Sequence, residues 1–116
     1  MLTTEHQQNV VIARVTEKRV DASKAPAFTS EMSTIIEGGA NRIVLDLSAV
    51  DFIDSSGLGA VVSCLKRLGP TGSLAIAGAH DAVRRLFTLT RMDKVFRLHD
   101  NVEAAVADLN GMREFR

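Results

Sequence analysis

The stretch that most constrains this chain is Arg42–Leu47, Arg-Ile-Val-Leu-Asp-Leu. A nearly continuous apolar run of this length suits a central strand covered on at least part of both faces, because a strand with one wet face would alternate. The residues around it alternate between strand and helix patterns. Asn9–Val15 is rich in β-branched residues (Val10, Val11, Ile12, Val15) and reads as a strand, and the charged Thr16–Val20 as a short second strand or a turn. A helix follows, capped by Ser23 or Asp21, with Pro26 in its first turn, Phe28, Met32, Ile35 and Ile36 on one face, and Gly38-Gly39 as its end. Beyond Ser48–Ile53, the set Leu58, Val61, Val62, Leu65 and Leu68 marks a second helix ended by Gly69-Pro70. Ser73–Ala77 and Val95–Leu98 read as short strands. Between them a helix starts at His80 or Asp81 with Val83, Leu86, Phe87 and Leu89 inward. Val102–Leu109 is a last helix with Val102, Ala105, Val106 and Leu109 inward.

This order predicts an α/β fold: a mixed, mostly parallel sheet of four to five strands packed with about four helices. Right-handed crossovers would place the second and third helices in one layer. The first one or two strands are expected to pair antiparallel, since the connection near Thr16–Val20 is too short for a crossover. The 116 residues make one domain, with a core at about 9–110 and loose polar ends at 1–8 and 111–116.

Composition excludes several function classes. Lys plus Arg (14) equals Asp plus Glu (14), so the basic excess of a phosphate-backbone binder is absent. Trp and Tyr are missing, which argues against a base-stacking platform. Arg84, Arg85, Arg91, Lys94 and Arg97 form a local basic set, but Asp100, Glu103 and Asp108 reverse the sign soon after, so it reads as a solvated face and not a nucleic-acid site. The single cysteine, Cys64, allows no internal disulfide and reads as packed, not reactive. His6, His80 and His99 lack ligand-like spacing, so no metal and no cofactor are expected. The polar N-terminus is unlike a signal peptide and no apolar run approaches the ~20 residues of a membrane span. The expectation is a cytoplasmic domain, monomeric when free, without a membrane partner.

Chemistry concentrates in Asp54-Ser55-Ser56-Gly57-Leu58-Gly59, where a helix begins just after a strand. The free N–H groups and dipole of a helix start favour negative charge. All of Asp54, Ser55 and Ser56 are favoured N-caps, and capping alone is one reading. One helix needs one cap, however, so at least one hydroxyl is left without a structural assignment. Gly57 and Gly59 each cost about 1 kcal/mol of helix propensity against Ala and clear the way for close approach by another molecule. The second reading is therefore recognition or modification.

Residues 42–68 carry the run Leu-Asp-Leu-x-x-Val-x-Phe-Ile-Asp-Ser-Ser-Gly-Leu-Gly, from Leu45 to Gly59, which resembles the signature of STAS domains and, more narrowly, of bacterial anti-sigma factor antagonists. Val10–Val15 resembles the family's early strand, and Leu74–Ala77 with Val83–Phe87 its later strand and helix, so the likeness spans about residues 9–109. The resemblance implies a single STAS-type domain and a non-enzymatic role in partner switching. In that scheme the unmodified antagonist sequesters an anti-sigma factor that is also a serine kinase. Phosphorylation by the kinase releases it, and a metal-dependent PPM-type serine phosphatase restores binding. The acceptor is the serine after the motif aspartate, here Ser55, with Ser56 as runner-up. Asp54, Ser55, Ser56, Gly57, Leu58 and Gly59 would form the partner surface, joined by Asp21, where many members have an aspartate before the first helix. Here Glu17-Lys18-Arg19 replaces the family's usual nearby glycine. Ser63 and Lys66 are further candidates on the helix surface.

Other classes fit less well. A receiver phosphorylated on Asp54 or Asp46 needs an acidic pair after the first strand, and Val15-Thr16-Glu17-Lys18 offers one acid. A serine hydrolase using Ser55 or Ser56 with His80 or His99 lacks the Gly-x-Ser-x-Gly elbow. A STAS subunit or scaffold of a transport or stress-sensing complex, without phosphorylation, is a further alternative.

Overall fold

Arg42–Asp46 forms the middle strand of the structure, a computed structural model that describes residues 1–111. In chain order the elements are β1 (Leu2–Gln7), β2 (Val10–Val15), β3 (Arg19–Val20), α1 (Ala25–Glu37), β4 (Arg42–Asp46) and β5 (Phe52–Ile53). After these come α2 (Ser55–Leu68), β6 (Ser73–Ala77), α3 (Asp81–Leu89), a single 3-10 turn (Met92–Lys94), β7 (Arg97–His99) and α4 (Val102–Asn110). The main sheet has the order β1-β2-β4-β6-β7. Its last four strands are parallel in register, with Val10 opposite Arg42, Arg42 opposite Ser73, and Ala75 opposite Arg97.

The apolar run of β4 is explained by its two faces. Ile43 and Leu45 point into a core shared with Phe28 and Met32 of α1, Val61 and Cys64 of α2, and Val83 and Phe87 of α3. Val44 points the other way, into a second core with Val10, Ile12, Ala75, Ala77 and the α4 residues Val102, Ala105, Val106 and Leu109. The three crossover helices thus share one face and α4 covers the other. Ala75 and Ala77 are small where α4 lies on the sheet.

Residues 1–8, expected to be loose, form β1 and the start of a turn. β1 is antiparallel to β2, with Leu2 opposite Val15 and Gln7 opposite Val10. Gln8, in the left-handed region at φ 56, and Asn9 make the turn between them. An edge strand needs only one row of backbone partners, so polar side chains such as Thr3, Glu5 and Gln7 cost it nothing, and Leu2 alone packs on the core. The antiparallel partner of β2 is therefore β1 and not the segment 16–20, which instead supplies β3, paired parallel with β5 in a separate two-stranded sheet. The expectation for the C-terminal end falls on residues 112–116, outside the described residues; Gly111 caps α4.

Helix ends differ in detail from their sequence reading. The N-cap of α1 is Lys24, without a side-chain cap, while Pro26 sits in the first turn as expected. Asp21 builds the preceding turn, its Oδ1 accepting from the Ser23 N–H (3.0 Å) and hydroxyl (2.6 Å). Leu89, expected inward, is 74% exposed. It lies two positions past Phe87 and so points to the far side of the helix. Val95 is exposed as well, because the 3-10 turn occupies Met92–Lys94 and the strand begins only at Arg97; Phe96 is the residue turned inward, edge-on to Phe87 at 5.9 Å between ring centroids.

Asp108 joins α4 to β7. Its Oδ2 accepts from His99 Nε2 at 2.9 Å, and both oxygens accept from Arg97 Nη1 at 3.0 Å. Burial alone would raise this carboxyl, but the bonds from His99 and Arg97 outweigh it and hold the group below its ordinary value. A depressed carboxylate contributes stability above the unfolded pKa, about 3.9, and loses it as pH falls through the lower folded value. In urea unfolding at stepped pH, the stability gap between wild type and Asp108→Asn should therefore shrink below about pH 4. Phe28, fully buried, should cost about 3–5 kcal/mol on change to Ala. Leu89→Ala should stay within about 0.5 kcal/mol of wild type in the same assay.

Candidate functional site

The β3–β5 pair positions the start of α2. Arg19 lies opposite Phe52 and Val20 opposite Ile53; Val20 and Ile53 turn into the core while Arg19 and Phe52 turn out. This pairing brings the turn after β3 beside the residue after β5, which is Asp54. Asp54 is extended (φ −97, ψ −175) and is the N-cap of α2, its Oδ1 accepting from the Gly57 N–H at 2.9 Å. Its other oxygen, Oδ2, accepts from the Ala22 N–H at 3.1 Å. One carboxylate thus fastens the helix start to the Asp21 turn.

With Asp54 as the cap, the capping reading needs neither serine. Ser55 and Ser56 occupy the first two helical positions, both exposed, and neither hydroxyl has a hydrogen-bond partner among the described residues. Their backbone N–H groups belong to the free first turn of the helix. The two glycines differ. A Cβ on Gly57 would lie 2.1 Å from the Val20 carbonyl oxygen and 2.9 Å from Ile53 Cγ2, so this glycine is demanded by the fold's own packing, not by a visiting molecule. A Cβ on Gly59 would meet nothing within 4 Å, and Gly59 is exposed. Leu58 is half-buried and packs on the core. Ser63 and Lys66 continue the exposed face of α2.

Asp21 adjoins the site but does not point at it. Its carboxylate serves its own turn and faces Arg19 at 3.7 Å, and the bond from the Ser23 hydroxyl holds it below the ordinary aspartate value. Sequence reasoning missed Arg19 and Phe52. The guanidinium lies 4.2 Å from the Phe52 ring centroid, and Phe52 is 36% exposed, so the pair forms a cationic, aromatic lip on the outer side of the β3–β5 pair that leads into Asp54. No periodic signal marks two-residue strands, so nothing in the sequence pointed to this stack.

The remaining candidates lie elsewhere. Asp46 is buried, paired with Arg14 Nε at 3.2 Å and accepting the Ser48 N–H at 3.0 Å; Arg14 also bonds Glu5. His80 faces the Ser48 carbonyl and Asp81, and His99 faces Asp108, so neither imidazole bonds a serine hydroxyl. Cys64 is buried and its thiol is pushed up to about 11 by desolvation, which suits a packing residue. Of the basic set, Arg84 pairs with Asp100 and Arg97 with Asp108. No helix among the described residues is long and apolar enough to cross a membrane.

The STAS domain family model matches residues 1–105. The chain belongs to the STAS family. A STAS relative, the anti-sigma F factor antagonist of Paenibacillus polymyxa, is 28% identical over 107 residues, covering 90% of this chain and 91% of that one. The crystal structure of an anti-sigma factor antagonist from Mycobacterium paratuberculosis superposes with a TM-score of 0.88 at 26% identity, over 95% and 93% of the two chains. The anti-sigma factor antagonist SpoIIAA in its unphosphorylated form shares the STAS fold at a TM-score of 0.73 and 21% identity, over 97% of this chain and 100% of that one.

The two glycines of this STAS domain should part company on substitution. Gly57→Ala should destabilise it by about 1–3 kcal/mol through overpacking against Val20. Gly59→Ala should be neutral or stabilising by up to about 1 kcal/mol. Asp54→Ala should cost about 0.5–2 kcal/mol as a lost cap. Urea unfolding midpoints read all three.

Proposed function

We propose that this protein is a non-enzymatic regulator of partner switching in the bacterial cytoplasm. Unphosphorylated, it sequesters an anti-sigma factor that is also a serine kinase. Phosphorylation at Ser55 switches it off, and a PPM-type serine phosphatase restores it. The reading is carried by one observation: the Ser55 hydroxyl is exposed at the start of α2 and has no structural duty, because Asp54 already caps the helix. The relatives named as anti-sigma factor antagonists supply the class of partner. Ser56 is equally exposed and is the second candidate acceptor.

The physical logic of the switch is local. A phosphoryl group adds about −1.5 to −2 charges and three acceptor oxygens. The helix start tolerates it within this domain, since the dipole and free N–H groups favour an anion there. In a complex, the same dianion would stand beside the Asp54 carboxylate on a surface stripped of water, where an unpaired charge is costly. The partner would be expelled without refolding of the domain. The exposed face at Gly59, Ser63 and Lys66, and the lip of Arg19 over Phe52, would complete the contact surface.

The test is a kinase assay with the partner captured on wild-type protein. Ser55→Ala should bind the kinase but take no label from ATP, while Ser56→Ala should be labelled like wild type. Ser55→Asp should weaken the complex by roughly 30-fold or more, equivalent to about 2 kcal/mol. Label persisting in Ser55→Ala would move the acceptor elsewhere. Label removed by neutral hydroxylamine, which phosphoserine withstands, would indicate an acyl phosphate on an aspartate and defeat the serine reading.

A further inference from the structure

His80 stands where α3 begins, and both of its ring nitrogens face oxygen acceptors. Nε2 lies 3.1 Å from the Ser48 carbonyl and Nδ1 3.2 Å from Asp81 Oδ2. A neutral imidazole carries one N–H, so it can satisfy one of these oxygens and must turn a lone pair toward the other. The imidazolium donates to both. The ring is 41% exposed on its side chain, so water reaches it and proton exchange is open.

The acceptors belong to different segments. Ser48 lies in the loop between β4 and β5, and the loop's last residue, Asp51, donates its N–H to the Lys18 carbonyl at 2.7 Å before the chain enters β5 and reaches Asp54. The Ser48 N–H is gripped from the other side by Asp46. Asp81 holds φ at 50, a left-handed conformation that carries strain in a non-glycine residue, and α3 packs on β5.

We propose that His80 is a pH-sensitive clamp: protonated, it fastens the Ser48–Asp51 loop to the start of α3, and on losing a proton it keeps its one N–H toward the charged Asp81 carboxylate, the stronger acceptor, turns a lone pair to the Ser48 carbonyl and so releases that loop and the rim leading into Asp54. The proposal does not depend on phosphorylation of Ser55. The charged groups acting on the ring are Asp81 on its own segment and Asp51 on the β4–β5 side, while the Arg84 guanidinium of α3 is paired with Asp100 at 3.4 Å. The carboxylates favour the imidazolium, and the bond to Asp81 raises His80 above the ordinary histidine value. A raised folded value means that the clamp is fully set below the unfolded pKa, about 6.5, and is lost as pH climbs through the folded one.

The experiment is an NMR titration of the free protein from pH 5 to 9, following the His80 ring and the backbone amides of residues 48–54 and 80–84. His80 should titrate above about 6.5, and the loop amides should shift with the same midpoint. Asp81→Asn, equally tolerant of the left-handed turn, should lower both midpoints together. His80→Gln, which keeps a donor for the Ser48 carbonyl, should leave the loop amides flat across this range. A His80 midpoint at or below the ordinary value would overturn the clamp, as would loop amides that follow a different group or do not move in wild type. Either result would leave the phosphorylation assay at Ser55 unaffected.

Discussion

The arrangement of this domain around its candidate site hangs on one carboxylate that serves two segments. Asp54 gives one oxygen to the Gly57 N–H and the other to the Ala22 N–H. The first bond starts α2 and the second holds the β3–α1 turn against that start. Because the cap comes from Asp54, the hydroxyls of Ser55 and Ser56 are released from structural work and left at the surface. Because Gly57 has no side chain, the Val20 carbonyl can come close enough to accept from the Asp54 N–H at 3.4 Å. An exposed serine at a helix start is common; one whose neighbour has already done the capping is free for chemistry.

Much of the fold could be read from side-chain pattern because the central strands are buried on both faces. The unbroken apolar character of β4 and the short run of β6 follow from helices on one side and α4 on the other. Segments whose partners lie far away in sequence were harder. Leu2–Gln7 carries mostly polar side chains because it is an edge, and its strand character resides in backbone bonds to β2 that composition does not report. The pairing of Arg19–Val20 with Phe52–Ile53 joins two residues to two across a long separation, so no local period could announce it. Leu89 and Val95 are apolar but outward, a reminder that hydrophobic residues at the surface are ordinary and that the neighbouring Phe87 and Phe96 fill the space available.

The site was legible in its residue types and only partly in its geometry. Three consecutive cap-type residues correctly signalled a surplus hydroxyl, but which residue caps and which is surplus depends on backbone angles that the letters do not specify. The two glycines read alike, yet one answers to the carbonyl of Val20 and the other to open solvent. That difference is tertiary, set by a strand more than thirty residues earlier in the chain. The same holds for the Arg19–Phe52 stack, where a long cation lies over an aromatic ring contributed by the neighbouring strand.

One contact at the far edge of the sheet reaches beyond this chain. The Leu2 N–H, at the start of the outermost strand, is taken by Glu31 Oε1 from α1 at 3.0 Å. An unsatisfied rung there would invite a foreign strand to add itself to the sheet. By occupying it with a carboxylate from its own helix, the domain shortens the open ladder and sets a negative charge at its entrance. The outer edge of β1 thereby begins on a rung that is already taken, and a foreign strand would have to displace Glu31 to pair from its first residue.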